Sequence, residues 1–309
     1  MKYVLLFICS LIFTANTFAQ TGCITGNCEK GTGTYKWDNG DIYTGKFKNN
    51  QKNGKGNFKF ATGDYYVGEF KNDNYNGKGA YTFANGTSYT GAFVNGAYSG
   101  KGVFKYANKD MYTGGFLNNN KEGKGVYAFA DGMQYVGTFK NDLYNGKGVL
   151  KYTNGDVYTG EFLNGDLNGK GIFKMKNGEV YTGMFAGGKY SGFGVYSYSN
   201  GDKYEGNFIN NLLNGYGTYY LAEGSIYVGN FKDGVYDGEG VYTFKSGDVY
   251  AGTFVSGNYN GKGTLIFANG ERYEGSFVNS KKDGYGIYTF KDGSVMDGRW
   301  SNDQFIGNK

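Results

Sequence analysis

The 309-residue chain has no proline, no histidine, three cysteines and two tryptophans. Its only arginines are Arg272 and Arg299. Without histidine, the commonest general base and transition-metal ligand is missing. With so little arginine, recognition of nucleic acid has poor support. Long apolar runs are also absent after Val4 to Phe13, which is too short to span a membrane as a helix. What is abundant is glycine, with 57 residues, beside 32 tyrosines and 25 phenylalanines. High glycine alone would suggest disorder, but rings at this density argue against it and stand in for an aliphatic core.

The stretch "YTGKFKNNQKNGKGNFKF", Tyr43 to Phe60, pairs Tyr-x-Gly-x-Phe with Gly-Lys-Gly. The second motif invites comparison with a phosphate loop, which requires G-x-x-x-x-G-K-[ST] between a strand and a helix. Here glycine follows Gly-Lys, so no hydroxyl is available for magnesium, and no helix-period pattern follows. The motif also recurs. Tyr-x-Gly-x-Phe returns every 23 residues from Tyr43 to Tyr273, and a degenerate copy, "MDGRW", starts at Met296. Gly-x-Gly keeps the same period from Gly31 to Gly284. A fixed period of this length marks a repeat array.

Two runs of period-2 alternation flank Asp38-Asn39-Gly40 in each unit, which predicts half-buried strands joined by a hairpin. A three-residue loop at 38–40 places Tyr35 opposite Tyr43, Gly33 opposite Gly45 and Gly31 opposite Phe47. A longer second loop, 48–53, places Phe47 opposite Gly54, Gly45 opposite Gly56 and Tyr43 opposite Phe58. The rows across the sheet are then one of aromatics, one of glycine, and one alternating glycine with phenylalanine. Rings can lie flat in the glycine trough, and cross-strand aromatic pairs contribute roughly 0.2–1 kcal/mol each. The other face, with Thr34, Lys36, Thr44, Lys46, Lys55, Asn57 and Lys59, reads as polar and wet. Twelve units predict an all-β, single-layer antiparallel meander of about 24 strands, extending on the order of 115 Å at roughly 4.8 Å per strand. Lys109 stands where other turns have glycine, so that turn is expected to be strained or differently shaped.

This unit resembles the MORN (membrane occupation and recognition nexus) repeat, whose pattern is Tyr-x-Gly-x-Trp/Phe, a polar loop, Gly-x-Gly-x-Tyr-x-Tyr/Phe and Asp/Asn-Gly. The resemblance covers residues 31 to 300. It implies an elongated, twisted antiparallel sheet, and association with membrane lipids, protein scaffolds or self-association. The family often has Glu after the first Tyr. Here that place is mostly Thr or Val, as at Thr44 and Val67, with acids only at Glu205, Glu274 and Asp297.

Residues 1–19 read as a secretory signal peptide, with cleavage expected after Ala19 and Gln20 left first. Cys9 leaves with it, and the net charge falls from +5 to +4 with the loss of Lys2. Residues 20–30 form an N-terminal segment containing Cys23 and Cys28, residues 31–300 the array, and residues 301–309 a tail. In an oxidising compartment Cys23 and Cys28 can form a disulfide, worth about 2 kcal/mol for so small a loop, or remain free thiols. Two such ligands do not close a tetrahedral metal shell.

The most functional-looking stripe is a lysine column inside Gly-x-Gly: Lys55, Lys78, Lys101, Lys124, Lys147 and Lys170. It breaks at Phe193, Tyr216 and Glu239 and returns at Lys262. Lysines about 10 Å apart can track anionic headgroups, or can simply keep a solvated face soluble. The recurrent acids, among them Asp41, Asp64, Asp110, Asp156, Glu179 and Asp202, occupy equivalent places, whereas a catalytic pair needs two unlike environments. They read as solvated turn residues. No catalytic, cofactor or metal constellation stands out. The expectation is an exported, non-enzymatic scaffold or binding protein associated with membrane lipid or envelope protein. The alternative is a cell-surface glycan-binding module, since exposed tyrosines can stack on sugars. The strand Met296 to Trp300 is expected to be an open edge through which two chains could pair.

Overall fold

The computed structural model describes residues 20–308. The expected signal segment, 1–19, and Lys309 lie outside the described residues. All regular structure described is β: 26 antiparallel strands and no helix. They fall into two compact units, 20–107 with eight strands and 108–308 with eighteen. Within each, consecutive strands pair in an open meander. Two strands exceed the number expected: Gly22–Gly26 near the start and Gln304–Gly307 near the end.

The first turn of the unit folds as its residues dictate. Gly40 has φ +92°, and its N–H donates to the Trp37 carbonyl at 3.0 Å. The Asn39 side-chain oxygen accepts from the Asp41 N–H at 3.0 Å, the local bond that makes asparagine a good turn residue. The ladder that follows pairs Tyr35 with Tyr43, Gly33 with Gly45 and Gly31 with Phe47. At Lys109 the turn persists with a lysine at φ +74°, and the Asn108 side chain still accepts from the Asp110 N–H at 3.1 Å.

The second turn differs from expectation. There is no long loop at 48–53. Asn49 and Asn50 both take positive φ, +53° and +62°, and make a two-residue turn of the I′ kind between Ile42–Lys48 and Gln51–Lys59. Lys48 pairs with Gln51 and Phe47 with Lys52 before a register shift restores Gly45 to Gly56 and Tyr43 to Phe58. Phe47 therefore does not face Gly54, which pairs instead with Phe70 of the next hairpin. Asparagine tolerates the left-handed region better than other side chains. The supposed loop thus becomes strand plus bulge, with Gly54 at φ +94°.

This correction adds a member to the core. The position of Lys52 becomes Tyr75, Tyr98, Tyr144, Tyr190, Tyr236 and Tyr259 in other units, and each ring stacks on the preceding core tyrosine. Tyr75 lies 4.0 Å from Tyr66 and Tyr144 lies 3.8 Å from Tyr135, centroid to centroid. The core tyrosine is fully buried in every unit from Tyr43 to Tyr273. Phenylalanines meet it edge-on from its own unit and the next, as Phe139 and Phe162 meet Tyr135 at 5.1 and 5.0 Å. Such pairs contribute about 0.5–1.5 kcal/mol beyond burial. The Tyr43 hydroxyl donates to the Lys46 carbonyl at 2.9 Å, opposite the bulge where the ladder skips Lys46. The glycine row is the seat of this ring. A Cβ at Gly56 would lie 2.6 Å from the Tyr43 Cζ.

Candidate binding face

Period-2 alternation puts every tyrosine, glycine and phenylalanine of the core row on one face and leaves the opposite face open. On that open face, three rows run across the strands. The middle one carries Asn57, Val67, Ala80, Thr90 and Val103 in the first unit, each paired across to the next strand. In the second unit the equivalent row holds residues such as Val136, Ile172 and Val241, about two-fifths exposed. The face is thus less polar than the sequence suggested. It holds a β-branched rail, made of the very positions where the chain has Thr or Val.

The lysines stand in the row beside it. In the first unit, Lys55, Lys78 and Lys101 line one groove of about 870 Å³, with Asn57, Val67 and Thr90 on the opposite wall and glycine backbone as the floor. The glycines matter here in a second way, because the missing Cβ atoms let the rings pack below. Lys124, Lys147 and Lys170 occupy the same row of the second unit, and all six side chains are exposed. Glu69 faces Lys55 and Glu161 faces Lys147 across the ladder, but none of the six lysines forms an ion pair among the described residues.

The turn acids have a structural job that their solvated appearance hid. Asp64 accepts from the Ala84 N–H at 2.9 Å and from the Tyr81 hydroxyl at 2.8 Å. Asp202 accepts from the Ala222 N–H at 2.8 Å and the Tyr219 hydroxyl at 3.0 Å. Each acid thereby clasps the turn of the following repeat. Where Ser225 replaces the acid, its hydroxyl oxygen accepts from the Lys245 N–H at 3.0 Å. The Ala130 and Ala222 N–H groups hold Asp110 and Asp202 below the usual carboxylate range, and the Tyr196 hydroxyl does the same for Glu179. Repeated in kind along the chain, these carboxylates act as clasps between repeats.

At the N-terminal segment, Cys23 and Cys28 are bonded, with sulfurs 2.08 Å apart. At the other end, the expected open edge is covered in part: Gln304–Gly307 pairs with Arg299, Trp300 and Ser301 and leaves Met296 to Gly298 without a ladder partner on that side. Val295–Ser301 pairs with Lys281–Thr289 on one side and Gln304–Gly307 on the other. Met296 is partly exposed, but Trp300 is buried, its indole N–H donating to the Gly286 carbonyl at 3.1 Å. The Lys282 ammonium lies 5.0 Å over the Trp300 ring, and Phe305 packs beside it at 5.3 Å. Phe305 falls on the stacking position of the repeat, so the segment read as tail contributes one more strand. Among the described residues, no group of three or more His, Cys, Asp or Glu is placed to hold a metal.

The family model of the MORN repeat matches residues 29–42 and then eleven successive 23-residue segments from 43 to 295. The chain belongs to the MORN repeat family. Its eleven full-length matched repeats each begin at the buried tyrosine, so the MORN unit and the structural unit coincide. A search of the curated proteins finds no match. Among solved structures, the chain is similar to the SAS-4 (dCPAP) TCP domain of Drosophila melanogaster, in complex with a proline-rich motif of Ana2. Identity is 10%, coverage 60% of this chain and 96% of that one, and the TM-score 0.31. It is also similar to the TCP10 domain of Danio rerio CPAP in complex with a STIL peptide, at 11% identity, 88% and 96% coverage and TM-score 0.22. A streptogramin B lyase gives 12% identity, 88% and 91% coverage and TM-score 0.15. At these TM-scores the likenesses say nothing of what this MORN chain binds. As a repeat array with a packed face and an open one, it is a scaffold or binding protein.

Proposed function

We propose that this MORN protein is an exported, non-enzymatic scaffold whose open face engages acidic membrane lipid headgroups. The observation that carries the reading is the lysine row: exposed ammonium groups, free of ion pairs, beside a glycine-floored groove. Each lysine near an anionic surface adds up to about 1 kcal/mol, so several in a row give useful affinity without a pocket for any one headgroup. The β-branched rail beside them offers apolar contact to the same surface. Export is supported by the apolar N-terminal run and by the bonded cysteines, which suit an oxidising compartment. A protein partner with an acidic surface would use the same lysines.

Co-sedimentation with vesicles rich in an anionic phospholipid tests the proposal. The protein should pellet at low salt, and binding should fall as salt screens the charges. Exchanging Lys55, Lys78, Lys101, Lys124, Lys147 and Lys170 for Gln should abolish it. A protein that ignores acidic vesicles at low salt does not bind lipid this way.

A further inference from the structure

In the second unit, the lysine row changes character over three successive repeats. Phe193, Tyr216 and Glu239 replace lysine between Lys170 and Lys262. Their cross-strand partners are Asn207, Asn230 and Thr253. The row therefore reads aromatic, amide, aromatic, amide, carboxylate, hydroxyl, with no cation. Phe193 is 63% exposed and Tyr216 62%, on a face whose counterpart buries its core tyrosines completely. Neither ring is needed by the core, and equivalent units place lysine there.

We infer that this strip is a binding site for an uncharged, extended β-1,4-linked glycan. Three features select that ligand. The loss of cations removes complementarity to the acidic surfaces that suit the flanking lysines, and Glu239 opposes an anion outright, so the occupant is neutral. Phe193 and Tyr216 hold the same repeat position two strands apart, about 10 Å. An extended β-1,4-linked sugar chain presents the same ring face every second residue, a period close to that spacing, so two aromatic platforms can each take one pyranose face. The polar groups then match hydroxyls. The Asn207 side chain makes no hydrogen bond among the described residues. The Asn230 amide nitrogen donates to the Glu239 carbonyl at 3.1 Å, which leaves its own oxygen to accept. Glu239 accepts from the Thr253 hydroxyl at 2.7 Å through one oxygen, and the other oxygen remains. Stacking surfaces with a few placed polar groups are the usual makeup of a ligand site.

The test is retention of the full chain on microcrystalline cellulose and on chitin in high-salt buffer, where binding through the lysine row is screened out. The substitution pair F193K and Y216K restores the residue that equivalent repeats carry, so the fold tolerates it. Wild type should be retained on at least one of the two polymers. The pair should weaken retention at least tenfold, whereas F193Y with Y216W should preserve it. Absence of retention on both polymers, or undiminished retention of the F193K/Y216K protein, would overturn the assignment. So would a wild-type dimer that the same pair converts to monomer, because the strip would then be covered by a second copy of the chain.

Discussion

A single methyl group separates a working glycine from a failing one in this chain. A Cβ at Gly137 would lie 2.5 Å from the Tyr135 Cζ and 2.8 Å from the Gly148 Cα. Neither can move freely, because Tyr135 is locked between Phe139, Tyr144 and Phe162. Gly137→Val is therefore expected to destabilise by about 3 kcal/mol, the upper range for overpacking. Lys147→Ala, on the open face of the neighbouring strand, should stay within about 0.5 kcal/mol. Denaturant melts of the two variants check the contrast. Lys109 gives the opposite sign. It sits at φ +74° where its relatives have glycine, and a left-handed lysine costs roughly 1–2 kcal/mol. Lys109→Gly should raise stability by about 1 kcal/mol, and an unchanged or lower midpoint would mean that the side chain is held by something else.

At the level of the hairpin, half of each unit was legible in advance. The Asp-Asn-Gly turn, the glycine ladder and the tyrosine pairing follow from alternation and from glycine's freedom at Gly40. The second hairpin was not. Asn49-Asn50 lies inside a polar run without glycine, and the signal sat in other repeats, where Asn95-Gly96, Asn164-Gly165 and Asp233-Gly234 occupy the same positions with positive φ. Misplacing that turn also hid Tyr75 and its equivalents as core residues. The clasp acids escaped for a related reason: their partners, such as Ala84 for Asp64, lie a full turn away in the next repeat. The clasps make a pH prediction. The folded-state pKa values of Asp110 and Asp202 are lowered by the N–H groups that donate to them. Their contribution is present above the unfolded carboxylate value and lost as pH falls below about 4 toward the folded value. Asp202→Ala should lower the melting temperature at neutral pH and flatten its decline on the acid side. The core tyrosines act at the other end. Burial pushes Tyr43, Tyr135 and Tyr204 up to about 12. Their contribution is complete below pH 10 and lost as pH rises from there to about 12. Ionisation of the buried rings should therefore accompany loss of β-sheet dichroism. Ionisation of every tyrosine with the sheet intact would contradict the packing described.

Across the whole molecule, the array adds repeats that each lean on neighbours, so stability accumulates on the ring face while the open face is free to vary. The candidate site was legible to that extent. A lysine column stood out in the sequence, and so did its break at Phe193. What could not be read was the β-branched rail beside it, since Thr and Val at Thr44 or Val67 look like ordinary strand formers. The buried Trp300 was also out of reach, because its covering strand, Gln304–Gly307, is only four residues long and carries a single recognisable repeat residue, Phe305. The central claim is that folding resides on one face and binding on the other. Thermal unfolding of the variant with Lys55, Lys78, Lys101, Lys124, Lys147 and Lys170 all changed to Gln tests this most directly. Its melting temperature should match or exceed that of wild type, because no ion pair is broken and like charges are removed. A fall comparable to that of Gly137→Val would show that the lysine row belongs to the fold and is not free for a ligand.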